Sequence, residues 1–210
     1  MHRFRLFAVL ALALVLSAAV STARATASTT QQITWTQSQT MVAVWQYQSD
    51  CDMTQVVVDG VIGRVRINGT RSVSAFASVS ISRYDTCTNT FVILVSSCCA
   101  SLSGTMQINA GLTSARMTGT FPDLIDFNTG ATYTVSVDVA WTASGTASRT
   151  ESEFTTQSPG LVVHSQTQSV EQPAIASGTV SDGTTNYTPQ PASFAAMDSS
   201  KNGSLNITIG

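Results

Sequence analysis

Charged side chains make up only 10% of this 210-residue chain, with 10 basic residues against 12 acidic ones. No basic patch stands out along it, so nucleic acid is not an expected partner. Beyond the first apolar run, no segment is long and apolar enough to cross a bilayer as a helix. No stretch keeps a helical period over a useful length. Outside the N-terminal segment, His164 is the lone histidine, and no C-x-x-C pair occurs. Both facts argue against a zinc site and against thioredoxin-like redox chemistry. A Ser-His-Asp hydrolase needs a base held against a nucleophile. His164 sits in the alternating stretch LVVHSQ, and no nucleophile elbow accompanies it. The glutamates are Glu151, Glu153 and Glu171, all in polar stretches, so the paired carboxylates of a glycosidase do not stand out. No cofactor is implied.

What is present begins with the first 27 residues. Arg3 and Arg5 precede an apolar run from Leu6 to Ala19, and small residues follow. ARA (23–25) and ATA (25–27) both fit the small-x-small cleavage pattern of a secretory signal peptide. Cleavage after Ala27 is preferred, with Ala25 as the alternative. An uncleaved anchor is the competing reading, but the run is short for a span of roughly 20 residues. Cleavage after Ala27 removes three arginines and leaves seven basic residues against 12 acidic ones, a formal charge of −5. The expected product is secreted and extracellular, with no membrane span after cleavage. Residues 28–40 (STTQQITWTQSQT) are polar and read as a flexible arm. Residues 41–210 suffice for one domain with a real core.

Period-two alternation dominates that domain. Tyr133, Val135, Val137, Val139 and Trp141 share one face, and Thr134, Ser136, Asp138, Ala140 and Thr142 the other. Val73 to Ile81 alternates in the same way with Ser74 to Ser82. Further strands are expected at 41–47, 55–61, 91–95, 105–108, 114–121, 160–166, 174–180 and the C-terminus. Turn signals separate them: Asp59-Gly60, Asn68-Gly69, Asn128-Thr129-Gly130, Asp182-Gly183 and Asn202-Gly203. Many short strands with frequent turns predict an all-β, antiparallel, jelly-roll-like β-sandwich. At the C-terminus, a three-residue loop Lys201-Asn202-Gly203 would set Ile207 opposite Met197 and Ile209 opposite Ala195. That register places apolar opposite apolar and calls for a left-handed Gly203.

Four cysteines remain after cleavage: Cys51, Cys87, Cys98 and Cys99. Export makes disulfides the default, and four cysteines allow three pairings. Cys51 and Cys87 both sit in loop-like stretches at strand ends, so their bridge is preferred. Cys98 and Cys99 are then a vicinal disulfide, free, or paired between molecules. A Cys51–Cys87 bridge would gather Asp50, Asp52 and Asp85, a set of oxygens that suits Ca²⁺, with solvated turn aspartates as the plainer reading. Trp45 and Tyr47 share a strand face and form a possible sugar-stacking platform, with core packing as the alternative.

YDTC (84–87), SARMTGTF (114–121), VDVAWTASG (137–145) and ASGTVSDGTTNYTP (176–189) resemble, in this order, a group of uncharacterised secreted bacterial proteins of similar size. The resemblance implies a secreted, single-domain, all-β protein and transfers no functional residue. The expectation for function is a non-enzymatic binding or structural module with a carbohydrate or cell-surface partner. The alternatives are a carbohydrate-active or other extracellular hydrolase and a membrane-active β protein.

Overall fold

The computed structural model describes residues 29–67, 69–97, 100–158, 161–203 and 205–209. The expected signal segment, Cys98 and Cys99 lie outside the described residues. The described chain is all strand and turn: β1 (Thr29–Ser49), β2 (Asp52–Ile67), β3 (Thr70–Asp85), β4 (Thr90–Ser96), β5 (Ser103–Ile108), β6 (Ser114–Asp126), β7 (Thr132–Ala143), β8 (Ser148–Ser158), β9 (Leu161–Ser181), β10 (Phe194–Asn202) and β11 (Leu205–Ile209). Every ladder is antiparallel, as the alternation predicts.

The arrangement is sandwich-like, and its pairing closes on itself. The hydrogen-bonded path runs β1–β2–β3–β4–β6–β7–β9–β10 and returns to β1. β5 hangs on β6, and β8 hangs on β9. Most neighbours in the sheet are also neighbours in sequence, so the connectivity is largely a meander. The alternating residues meet inside. Trp45, Trp141, Phe121, Met41, Met117, Met197, Val58, Val79 and Val139 are all fully buried. The indole N–H groups keep partners there: Trp45 donates to the Gln190 carbonyl at 2.9 Å and Trp141 to the Val42 carbonyl at 2.9 Å.

The narrowest joint in this circuit is β4–β6, paired at Val95–Asp126 and Ser96–Ile125. Asp126 is fully buried beside it. Its carboxylate accepts the Leu94 N–H at 3.2 Å, the Asn128 N–H at 2.9 Å and the Thr129 hydroxyl at 2.8 Å. Burial pushes this carboxyl up, but the donors outweigh it and hold it below its ordinary value.

Four expectations need correction. Residues 29–40 are not an arm but the first half of β1. Asp59-Gly60 is not a turn but lies inside β2, opposite Val42 and Met41. The strands expected at 160–166 and 174–180 are not separate: residues 161–166 and 174–180 are parts of one strand, β9. The C-terminal hairpin does not form. β10 and β11 lie in line, and both pair with β1 and β9. Their register with β1 is continuous, from Val44↔Phe194 through Ile33↔Leu205 to Thr29↔Ile209, while the register with β9 slips by one residue. Gly203 sits at that slip. It is not left-handed, and its N–H donates to the Gln166 carbonyl at 2.6 Å.

Acid sensitivity follows from the loop between β9 and β10. There the Asp182 carboxylate accepts the Tyr187 hydroxyl at 2.7 Å, the Thr184 and Thr185 N–H groups at 2.8 Å each, and the Thr184 hydroxyl at 2.7 Å. Burial works to raise this carboxyl, but Tyr187, Thr185 and Thr184 bring it down to about 2. A folded-state value below the unfolded one adds stability above about pH 4, and that stability is lost as pH falls toward the folded value. Asp182→Asn is therefore expected to be less stable than the parent at pH 6, with the gap closing toward pH 2. Denaturant midpoints at the two ends measure it. A gap that is the same at both would remove Asp182 as the cause.

Candidate functional site

The core fills one end of the closed structure. Six strands run past it: β3, β2, β1, β10 with β11, β9 and β8. Beyond Ala77 the residues of β3 are exposed on both faces, and nearly every β8 residue whose exposure is described is exposed too. The face that continues the core-facing side can be read row by row, because directly paired residues share a face. One row is Ala75, Ile62, Gln39, Ser199, Val170 and Arg149. The next is Val73, Arg64, Gln37, Lys201, Gln168 and Glu151. The outermost holds Arg71, Arg66 and Trp35. Neighbouring strands lie about 4.8 Å apart, and successive rows about 6.8 Å.

Arg64, Arg66, Arg71 and Lys201 thus gather on one face, with Arg149 at its margin. Five of the seven basic residues beyond residue 27 stand on this side of the sheet. Among the described residues, the salt bridges are Arg83–Asp52 and Arg116–Asp138, so none of these five is in one. Arg66 and Arg71 are directly paired, an arrangement that costs stability through like-charge repulsion. The Arg64 guanidinium donates to the buried Gln39 amide oxygen, which fixes its stem against the core. Trp35, opposite Arg66, is 37% exposed. Glu151 closes the far end of its row and accepts the Gln168 amide at 2.6 Å.

Beside this face lies a cleft of about 310 Å³, lined by Ala75, Phe76, Ala77, Ala100, Leu102 and Met106, among others. It opens where β4 ends and leaves the edge of β3 uncovered. Its lining holds no acid, base or thiol, so it offers shape and apolar contact rather than proton transfer.

The sites expected from sequence fare differently. Cys51 and Cys87 are bonded, with Cα atoms 5.3 Å apart. Asp52 and Asp85 do come together, directly paired across β2 and β3. Their carboxylates are engaged by the protein itself. Asp52 is paired with Arg83. Asp85 accepts the Cys87 N–H at 2.8 Å and the Thr88 N–H at 2.9 Å. The Thr88 and Cys87 amides hold its carboxyl below the ordinary value. Asp50 stands in the β1–β2 turn with φ 49°. The sulfurs nearest Asp85 belong to the disulfide and are not thiolate ligands. The Trp45–Tyr47 platform is corrected: Trp45 is 1% exposed, and the Tyr47 hydroxyl donates to the Tyr187 carbonyl at 3.3 Å. His164 lies exposed on β9, its Nδ1 2.9 Å from the Thr155 hydroxyl.

The cationic face was absent from the sequence expectations, although part of it was legible. In RVRINGTR (64–71), Arg64 and Arg66 alternate onto one face, and the Asn68-Gly69 turn signal in the sequence is of the kind that would set Arg66 opposite Arg71, the pairing found between β2 and β3. Lys201 arrives from another strand by way of β1, which local spacing does not reveal. No family description matches the chain, and neither the curated proteins nor the solved structures contain a match to it.

Proposed function

We propose that this chain is a secreted, non-enzymatic binding module that holds an acidic polysaccharide on the cationic sheet face. The observation that carries the reading is Arg64, Arg66, Arg71 and Lys201 on one open face without a salt-bridge partner among the described residues. An anion laid across Arg66 and Arg71 relieves the repulsion between them. The neighbouring groups suit a sugar chain. Gln37 and Gln168 offer amides that both donate to and accept from hydroxyls, and Trp35 offers an exposed indole. A flat face without a deep pocket fits an extended polymer better than a small molecule. The chain's negative net charge departs from the strongly basic balance of nucleic-acid binders. The signal-like N-terminus and the Cys51–Cys87 bridge support an extracellular setting.

Polygalacturonate tests the reading, with dextran as the neutral control. Binding is expected for the first alone and is expected to weaken as salt rises. Exposed charge pairs contribute up to about 1 kcal/mol each, so Arg64→Gln, Arg66→Gln and Lys201→Gln together are expected to lower affinity roughly 10- to 100-fold. Equal binding of dextran, or tighter binding of single-stranded DNA than of polygalacturonate, would overturn the assignment.

A further inference from the structure

The projecting part of the sheet ends in two bare edges. Among the described residues, β3 before Val79 pairs with β2 alone, and β8 pairs with β9 alone. At the core level the pairing circuit is closed, and β5, which pairs with β6 alone, supplies the short edge there. Bare strand edges are templates for further pairing.

The backbone groups at both edges can be assigned. In an antiparallel ladder the N–H and C=O of one residue point the same way, and successive residues alternate. On β3, Val79 bonds to Ser97 through both groups: its C=O accepts the Ser97 N–H at 2.9 Å, and its N–H donates to the Ser97 hydroxyl at 2.7 Å. Val79 therefore faces away from β2, and so do Ala77, Ala75, Val73 and Arg71. On the other side, the Gln166 carbonyl accepts the Gly203 N–H, so Gln166 is turned toward β10. Its partner Glu153 is then turned away from β9, and so are Glu151 and Arg149. Both edges present free groups at residues whose side chains lie on the same cationic face.

Direction matches as well. The six strands alternate in sense, so β3 and β8 run opposite ways. A second copy moved across the sheet, and turned by its twist, sets its β3 beside β8 of the first in antiparallel pairing, with like faces aligned. Val73 and Glu151 end the same row. An unstaggered joint therefore puts Glu151 beside Val73 and Glu153 beside Arg71, so that an acid meets a base.

We propose that copies of this chain join β8 to β3, extending the six-stranded sheet from molecule to molecule with Glu153 paired to Arg71. The contact uses two different edges, so it is heterologous and builds open chains or rings rather than a two-fold dimer. It does not depend on any ligand.

Sedimentation of the mature chain, up to millimolar concentration, provides the test. The average mass is expected to rise with concentration and to pass the dimer. Arg71→Glu and Glu153→Arg each bring like charges together and are expected to weaken association at least about tenfold. The double swap restores the pair and is expected to recover it. Glu151→Pro removes an edge N–H that bonds nothing among the described residues, and is expected to abolish assembly while leaving the fold and all five basic residues in place. A mass that stays at the monomer or stops at a dimer would overturn the proposal. So would a double swap that associates no better than either single variant, or a folded Glu151→Pro that assembles like the parent.

Discussion

Replacing Gly178 by valine is expected to cost more than about 3 kcal/mol and to leave little folded protein at physiological temperature. Gly178 has φ 145° and lies opposite Val139 in the β7–β9 ladder. A Cβ there would run into the Asp138 carbonyl and come within 2.8 Å of the Val139 Cα. These are backbone atoms of a core strand and cannot step aside. The carbonyl of Gly178 also accepts the Thr188 hydroxyl at 2.9 Å, and that hydroxyl in turn accepts the Val180 N–H at 2.9 Å. Moving Gly178 therefore disturbs a second buried contact. Gly60 is the control. Its Cβ would meet Met41 and Met117 methyl groups at 2.9 and 3.1 Å, and the Met106 sulfur. Those are flexible side-chain ends, so Gly60→Ala is expected to cost far less. Denaturant midpoints rank the two variants. If Gly60→Ala proves as costly as Gly178→Val, backbone contact is not the deciding factor.

Breaking the Cys51–Cys87 bond is expected to remove about 3–4 kcal/mol. The bond joins residues 36 apart, and closing a loop of that size in the unfolded chain is the main source of the gain. The native side loses little, because β2 and β3 remain paired from Asp52–Asp85 to Ile67–Thr70. The Thr86 N–H also still reaches the Cys51 carbonyl at 2.7 Å. For a domain of this size the melting temperature should fall by roughly 10 °C. Cys51→Ser, Cys87→Ser and the double variant should melt together, since each removes the same single bond. Melting that is unchanged by reductant would show that these two sulfurs are not joined in solution.

Much of the core was legible because one-sided burial writes itself as alternation. Val135, Val137, Val139 and Trp141 face inward as that pattern predicts. β8 was illegible for the same reason. It is exposed on both faces, so no side-chain pattern marks it, and only its backbone pairing makes it a strand. Asp59-Gly60 misled because turn chemistry and interior space both select glycine. Here Gly60 faces inward, where Met41, Met106 and Met117 crowd it. The C-terminal hairpin failed on partner choice. Burial argued for β10 as the mate of β11, but its mates are β9 and β1, the latter some 170 residues earlier in the chain (Ile33 to Leu205). Short turns can be read locally, whereas ring closure depends on strands that sequence neighbourhood does not connect. The candidate site divides the same way. Arg66 and Arg71 meet through one turn, whereas Lys201 joins them only once the ring is closed.

Placing the core at one end also separates what selection can act on. Substitutions among Trp45, Met117 and Val139 meet the packing of the whole interior. Changes at Arg71, Gln168 or Glu151 meet water and at most one neighbour on each side. The projecting rows can therefore drift, duplicate a charge or reverse one without endangering the fold. A lineage built on this frame is free to change what it recognises while keeping the same foundation.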